Sequence, residues 1–276
     1  MNLPVFTRLP DAIALDLDGT LFNDNEEISP RNRAALERCI EAGIPVILAT
    51  SRPARSFHRS FPDDLSDRCS QILTNGSVVI GKLPLLGSIK ESIPEVALRK
   101  VIELSLETYP DAWLIVEIEG YEFGANWTEH PETLWKRNSA TPEMLLSVED
   151  AISKQPSKIV IGGIGDEILP LMDILKADMS DSVSIIPALT WQPILNITRY
   201  GVNKASAIHK LISPAGKSLE NVIAFGDDLP DMDMLVECGI PVAMGNALPE
   251  LKETCLYETA LNVDDGVAVV LERIFS

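Results

Sequence analysis

The chain has 276 residues, 46% of them hydrophobic, and carries 41 acidic against 23 basic side chains, a formal charge of -18. That length supports one large or two modest domains with proper cores. So large an acidic excess repels the phosphate backbone that a nucleic-acid binder must neutralise and offers no polybasic patch to anionic lipid, so neither nucleic acid nor membrane is an expected partner.

Four cysteines (Cys39, Cys69, Cys238, Cys255) stand far apart without CxxC spacing, and three histidines (His58, His130, His209) make no ligand cluster. No export leader and no membrane-length apolar span occurs, so a reduced, cytoplasmic protein is expected.

Residues 12–17 read as a strand buried on both faces. Ser29-Pro30 then caps an amphipathic helix that stops at Gly43. A second apolar strand follows at 44–49 and a third at 70–73, which ends at Thr74-Asn75-Gly76. Strand, helix, strand with no polar strand face predicts a parallel sheet covered on both sides. The rhythm resumes with strands at 193–198, 221–225 and 241–244. Helices are expected at 202–212, 230–238, from about 249, and at 264–275.

Between these halves the texture changes. Helical patterns at 94–109, 143–153 and 168–177 alternate with half-exposed strands at 113–119, 121–125, 158–164 and 182–189. The expected fold is therefore α/β: a Rossmann-like three-layer α/β/α core over residues 1–84 and 192–276, with an inserted α+β domain over 85–191.

Polar residues gather where the parallel strands end, which is where ligands bind in such sheets. Asp16 and Asp18 close the first strand, Thr50 and Ser51 the second, and Asn75 and Gly76 the third. Asp227, Asp228 and Asp231 follow the strand at 221–225, and Lys204 opens a helix. Carboxylates brought to one rim repel one another by about 4 kcal/mol per close pair at an effective dielectric near 20, so a cation belongs among them. An all-oxygen set without His or Cys selects Mg²⁺. Thr50, Ser51, the amides around Asp18 and Gly19, and the Lys204 ammonium supply donors for a phosphoryl group.

Four stretches in order, DLDGTL at 16–21, ATSR at 49–52, Lys204 in GVNKASAI, and GDDLPD at 226–231, resemble the motifs of the haloacid dehalogenase superfamily. The insertion and TNG at 74–76 further resemble its Cof-type phosphatases with a type IIB cap. MGNA at 244–247 and DDGVA at 264–268 extend the likeness through the core. The resemblance implies Asp16 as the nucleophile that becomes an aspartyl-phosphate and Asp18 as the acid and then the base. It implies Thr50 on the phosphoryl oxygens and Lys204 screening Asp16. Mg²⁺ would be held by Asp16, the Asp18 carbonyl and Asp227, with Asp231 in support. Gly19, Ser51, Arg52, Asn75 and Gly76 are the expected substrate-binding neighbours.

One departure stands out: Pro230 occupies the place where the family's fourth motif usually has Asn, and it brings no side-chain donor. The implied function is a Mg²⁺-dependent phosphatase of small phosphorylated metabolites, sugar phosphates first. A phosphomutase or phosphotransferase on the same core, and a weakly catalytic sensor of a phosphorylated ligand, are the alternatives. Four tryptophans (Trp113, Trp127, Trp135, Trp191) and His130 fall in or beside the insertion, where packing and substrate contact are both open readings.

Overall fold

The computed structural model describes residues 2–126, 139–189 and 192–276. Two sheets carry the chain. The first has eight strands: β1 (Ala12–Leu15), β2 (Val46–Ala49), β3 (Ser70–Leu73), β4 (Val78–Ile80), β5 (Ser88–Lys90), β12 (Val222–Gly226), β13 (Ile240–Ala243) and β14 (Tyr257–Glu258). Their order is β14-β13-β12-β1-β2-β3-β4-β5. The six strands from β14 to β3 are parallel, and β4 and β5 add an antiparallel edge. β1, β2, β3 and β12 are buried at every residue, as strands covered on both faces must be.

The helix Pro30–Glu41 starts where Ser29 accepts a hydrogen bond from the Asn32 amide and Pro30 supplies a preset first turn. It packs against the helix Gly266–Leu271 on one side of the sheet.

The second sheet comprises β6 (Trp113–Ile118), β7 (Glu122–Ala125), β8 (Leu145–Leu146), β9 (Lys158–Gly162), β10 (Val183–Ala188) and β11 (Ile194–Arg199), in the order β10-β11-β9-β6-β7-β8. Its pairs are antiparallel except β7 with β8. Alternate residues Leu114, Val116, Ile159, Ile161, Leu195 and Ile197 join the helices Glu95–Thr108 and Ile168–Met179 in one core. The opposite face is left toward the first domain. Among the described residues no helix is long and apolar enough to cross a membrane.

Two boundaries differ from the sequence reading of crossings near 84 and 192. Ser88–Lys90 pairs with β4 and so extends the core sheet past residue 85. The expected core strand at 193–198 is β11, which pairs antiparallel with β9 and β10 in the second sheet. Its apolar run reads alike in either sheet. What separates them is the turn after it, where Gly201 with φ 73° and Val202 redirect the chain into the helix Lys204–Ile212.

Candidate active site

Asp16 and Asp227 sit one residue past the ends of neighbouring parallel strands. The Asp16 amide donates to the Phe225 carbonyl at 3.2 Å, which ties the two strand ends together. Asp231 lies in the turn Leu229–Asp231. One ligand oxygen from each of Asp16, Asp227 and Asp231 falls within 4.8 Å of the others, and all three residues are buried. Gly19 makes room for this: its φ is +80°, and a Cβ there would stand 2.2 Å from Asp227 Oδ2.

Lys204 is the one ammonium in contact with this set among the described residues. It is 1% exposed and donates to Asp16 Oδ1 at 2.5 Å and Asp231 Oδ1 at 2.6 Å. A cation in the first turn opposes the helix dipole, but Asn203 offsets this with a capping box, accepting from the Ser206 amide while its own amide donates to Ser206 Oγ.

One ammonium against three carboxylates leaves negative charge unmet. Burial, then repulsion from Asp231, pushes Asp16 up to about 8; burial, then Asp16, pushes Asp227 up to about 9. Burial pulls Lys204 down, yet Asp16 and Asp231 outweigh it and hold the ammonium above its usual range.

Asp231 is fully engaged. Its Oδ2 accepts from the amides of Asp227 at 3.0 Å and Asp228 at 3.3 Å, and its Oδ1 from Lys204. Asp227 Oδ1 accepts from Thr20 Oγ1 at 3.0 Å. That leaves the second oxygens of Asp16 and Asp227 without a donor among the described residues. Hard carboxylate oxygens in excess of cations are a donor set that fits Mg²⁺. Asp16 and Asp227 would hold the ion, and Asp231 would brace the site.

Asp18 is placed differently. Its carboxylate is 39% exposed and is gripped by Arg52, Nε to Oδ2 at 2.7 Å and Nη2 to Oδ1 at 2.5 Å. Arg52 also reaches Glu26 and Ser60. Asp16, Asp18, Thr50, Ser51, Arg52, Lys204, Asp227 and Asp231 all line one cavity of about 230 Å³.

Gly19, Asn75 and Gly76 do not line it. Asn75 instead accepts from the Ser51 hydroxyl. Gly76, at φ +100°, lies against the Asn203 carbonyl, which a Cβ would approach to 2.3 Å. The turn works as a clamp: the amides of Thr74 and Asn75 donate to the carbonyls of Arg52 and Thr50 at 3.0 and 3.1 Å. Thr74 has φ 49°, a strained value for a β-branched residue, tolerated where the surroundings fix the turn.

The second sheet closes this cavity on the side facing the carboxylates. Arg55, in the helix Ala54–Ser60, makes two 2.7 Å contacts with Glu117 on β6, and both side chains are buried. The Arg55 amide donates to the Gly120 carbonyl at 3.0 Å. Lys158 on β9 donates to the Ser51 carbonyl at 3.0 Å. Burial pulls Lys158 down to about 8 against the opposing pull of Glu117.

Trp113 lines the cavity, whereas Trp127, Trp135, Trp191 and His130 lie outside the described residues. Arg55, Glu117, Lys158 and Asn196 carry no motif, so sequence reading did not single them out. The alternation within 113–119 and 158–164 is the signal that places 113, 115, 117, 158 and 160 on one face. Pro230 also lines the cavity, at the start of the turn that Asp228 caps.

Comparison with known proteins settles the family. The model for haloacid dehalogenase-like hydrolases matches residues 13–271. The chain belongs to this family. It is 30% identical over 261 residues, 95% of this chain and 94% of the relative, to 5-amino-6-(5-phospho-D-ribitylamino)uracil phosphatase YcsE of Bacillus subtilis. It is 26% identical to pyridoxal phosphate phosphatase YbhA of Escherichia coli, covering 93% of this chain and 95% of that one. A haloacid dehalogenase-like hydrolase structure from Bacteroides thetaiotaomicron, at 26% identity, superposes with a TM-score of 0.76 over 96% of this chain and 100% of that one. The subclass IIB sugar phosphatase BT4131, at 22% identity, shares the fold with a TM-score of 0.80 over 96% of this chain and 99% of that one. This haloacid dehalogenase-like hydrolase shares its overall fold with those structures.

Proposed function

We propose that this hydrolase is a Mg²⁺-dependent phosphatase of small phosphorylated metabolites that works through an aspartyl-phosphate on Asp16. One observation carries the reading: a nucleophile-capable carboxylate, two further buried carboxylates and a buried lysine meet at the floor of a single cap-covered cavity. Relatives named as phosphatases of a ribitylaminouracil phosphate and of pyridoxal phosphate align along nearly the whole chain.

Mg²⁺ at Asp16 and Asp227 would neutralise the phosphoryl oxygens, so that an anionic carboxylate can approach an anionic ester. Lys204 favours the charged form of Asp16 and orients it on its strand. In the first step an Asp16 oxygen bonds to phosphorus, the ester P–O bond breaks, and the departing oxygen takes a proton from Asp18. In the second, water attacks phosphorus, gives its proton to Asp18, and the P–O bond to Asp16 breaks to release phosphate.

Asp18 cannot deliver a proton while both its oxygens hold the Arg52 guanidinium, so Arg52 must let go when substrate enters. Its freed donors then face the cavity with Thr50 and Ser51. The Arg55–Glu117 pair and Lys158 keep the cap seated, which excludes bulk water from the acyl phosphate.

A screen of phosphate esters with Mg²⁺, read by free phosphate, tests this. Release that disappears in Asp16→Asn supports it. Binding of esters without any release would favour a sensor, and transfer to a second sugar in the presence of a bisphosphate activator would favour a mutase; either result overturns the phosphatase reading.

A further inference from the structure

The cap face over the cavity is built in three rungs across β6, β9 and β11. Glu117 pairs with Lys158, which pairs with Thr198; Ile115 pairs with Val160, which pairs with Asn196; Trp113 pairs with Gly162. The first rung is committed to docking, through Glu117 to Arg55 and Lys158 to the Ser51 carbonyl. Thr198 is committed to the Val202 carbonyl.

Asn196 is different. It is 1% exposed and lines the cavity, and neither its amide nitrogen nor its amide oxygen has a hydrogen-bond partner among the described residues. Burying such an amide unpaired costs free energy, so its presence on an otherwise apolar rung calls for a ligand group. Around it are Ile115, Val160, Ile194 and the Trp113 indole. The indole is seated directly on the backbone of Gly162, where a Cβ would come within 2.5 Å of the ring.

Resting on the phosphatase reading, we propose that Asn196 and Trp113 form the leaving-group subsite, and that the substrate is a phosphate ester whose alcohol carries a planar heterocycle with adjacent carbonyl and N–H groups. An amide side chain offers one donor side and one acceptor side, which such a ring edge returns in kind. The ring's faces fit the indole and the flanking aliphatic side chains. A hexose suits this apolar rung poorly: several hydroxyls would be pressed against Ile115, Val160 and Ile194, with the buried Asn196 amide and the exposed Gln192 amide to share. Lys158, buried with one hydrogen bond to Ser51, adds a donor for a ring carbonyl at the edge of the same face.

The test compares kcat/KM for uridine monophosphate and riboflavin phosphate with that for a hexose phosphate and for phenyl phosphate, in wild type, Asn196→Leu and Asn196→Ala. Wild type is expected to favour the better ring ester over the hexose phosphate by at least about tenfold, the worth of one or two well-made hydrogen bonds. Both variants should lower the ratio of ring ester to phenyl phosphate by roughly tenfold, chiefly through KM. Because the amide has no partner among the described residues, Asn196→Leu should keep or raise Tm. An unchanged ratio, a hexose preference in wild type, or a lowered Tm in Asn196→Leu overturns the subsite while phenyl phosphate turnover still upholds the phosphatase. Loss of turnover of every ester in wild type would instead remove the phosphatase reading and the subsite with it.

Discussion

Lys204→Met removes the ammonium bonded to the carboxylate cluster and keeps the approximate length of the side chain. Its ammonium lies 2.5 Å from Asp16 and 2.6 Å from Asp231. At an effective dielectric near 20 each contact represents about 6 kcal/mol of gross attraction, most of it spent on desolvating buried ions. Deleting one partner of such a set leaves uncompensated charge and costs about 3–5 kcal/mol. Against a typical stability of about 5–15 kcal/mol the variant still folds, but weakly.

The loss should depend on pH. Without the ammonium, Asp16 loses the contact that lowers it and holds its proton to still higher pH in the folded chain, so the penalty grows as pH rises. Urea denaturation of both proteins in EDTA, at about pH 5.5 and about pH 8.5, reads this directly. A penalty under about 1 kcal/mol at the higher pH, or one equal at both, would refute the view that Lys204 neutralises this cluster.

Other expectations are as specific. In metal-free protein Asp16 at about 8 and Asp227 at about 9 lie above their unfolded values, so their contribution to stability is fullest in acid and is lost as pH rises from the ordinary carboxylate range through those values. Mg²⁺ competes with those protons, so the Tm gain from adding it should increase between about pH 5.5 and about pH 8.5; a constant gain would contradict the site. Gly19→Ala presses a methyl onto Asp227 at a positive φ, and titration calorimetry should show Mg²⁺ binding weakened by at least about tenfold. Glu117→Gln weakens the buried pair to Arg55 that joins the second sheet to the first, and should raise KM for phenyl phosphate and the hexose phosphate by a similar factor; an unchanged KM for both would argue otherwise.

The carboxylate cluster was legible in the sequence because β1 and β12 are wholly apolar and end in aspartates, and a buried parallel strand delivers whatever ends it to the rim. The grip of Arg52 on Asp18 was not, since it joins side chains 34 residues apart through a choice of rotamers. Asn75 and Gly76 read as ligand contacts from their place after β3, yet their work is to hold the Thr50–Arg52 loop and the start of the Lys204 helix. Ser88–Lys90 was missed because three residues of mostly exposed pattern give no period to detect. Asn196 carries no signal for a related reason: a single amide within an apolar strand belongs to no motif, and only the pairing of β11 with β9 sets it over the cavity.

The central claim is a covalent bond between phosphorus and the side chain that ends β1. Mixing enzyme, Mg²⁺ and a turned-over ester, quenching within one turnover and reducing with borohydride converts an acyl phosphate to an alcohol that peptide mass spectrometry can place. The account predicts reduction at Asp16, absent without Mg²⁺ and absent in Asp16→Asn. Steady phosphate release with Asp16 never reduced, or with the modification on another carboxylate, would contradict it.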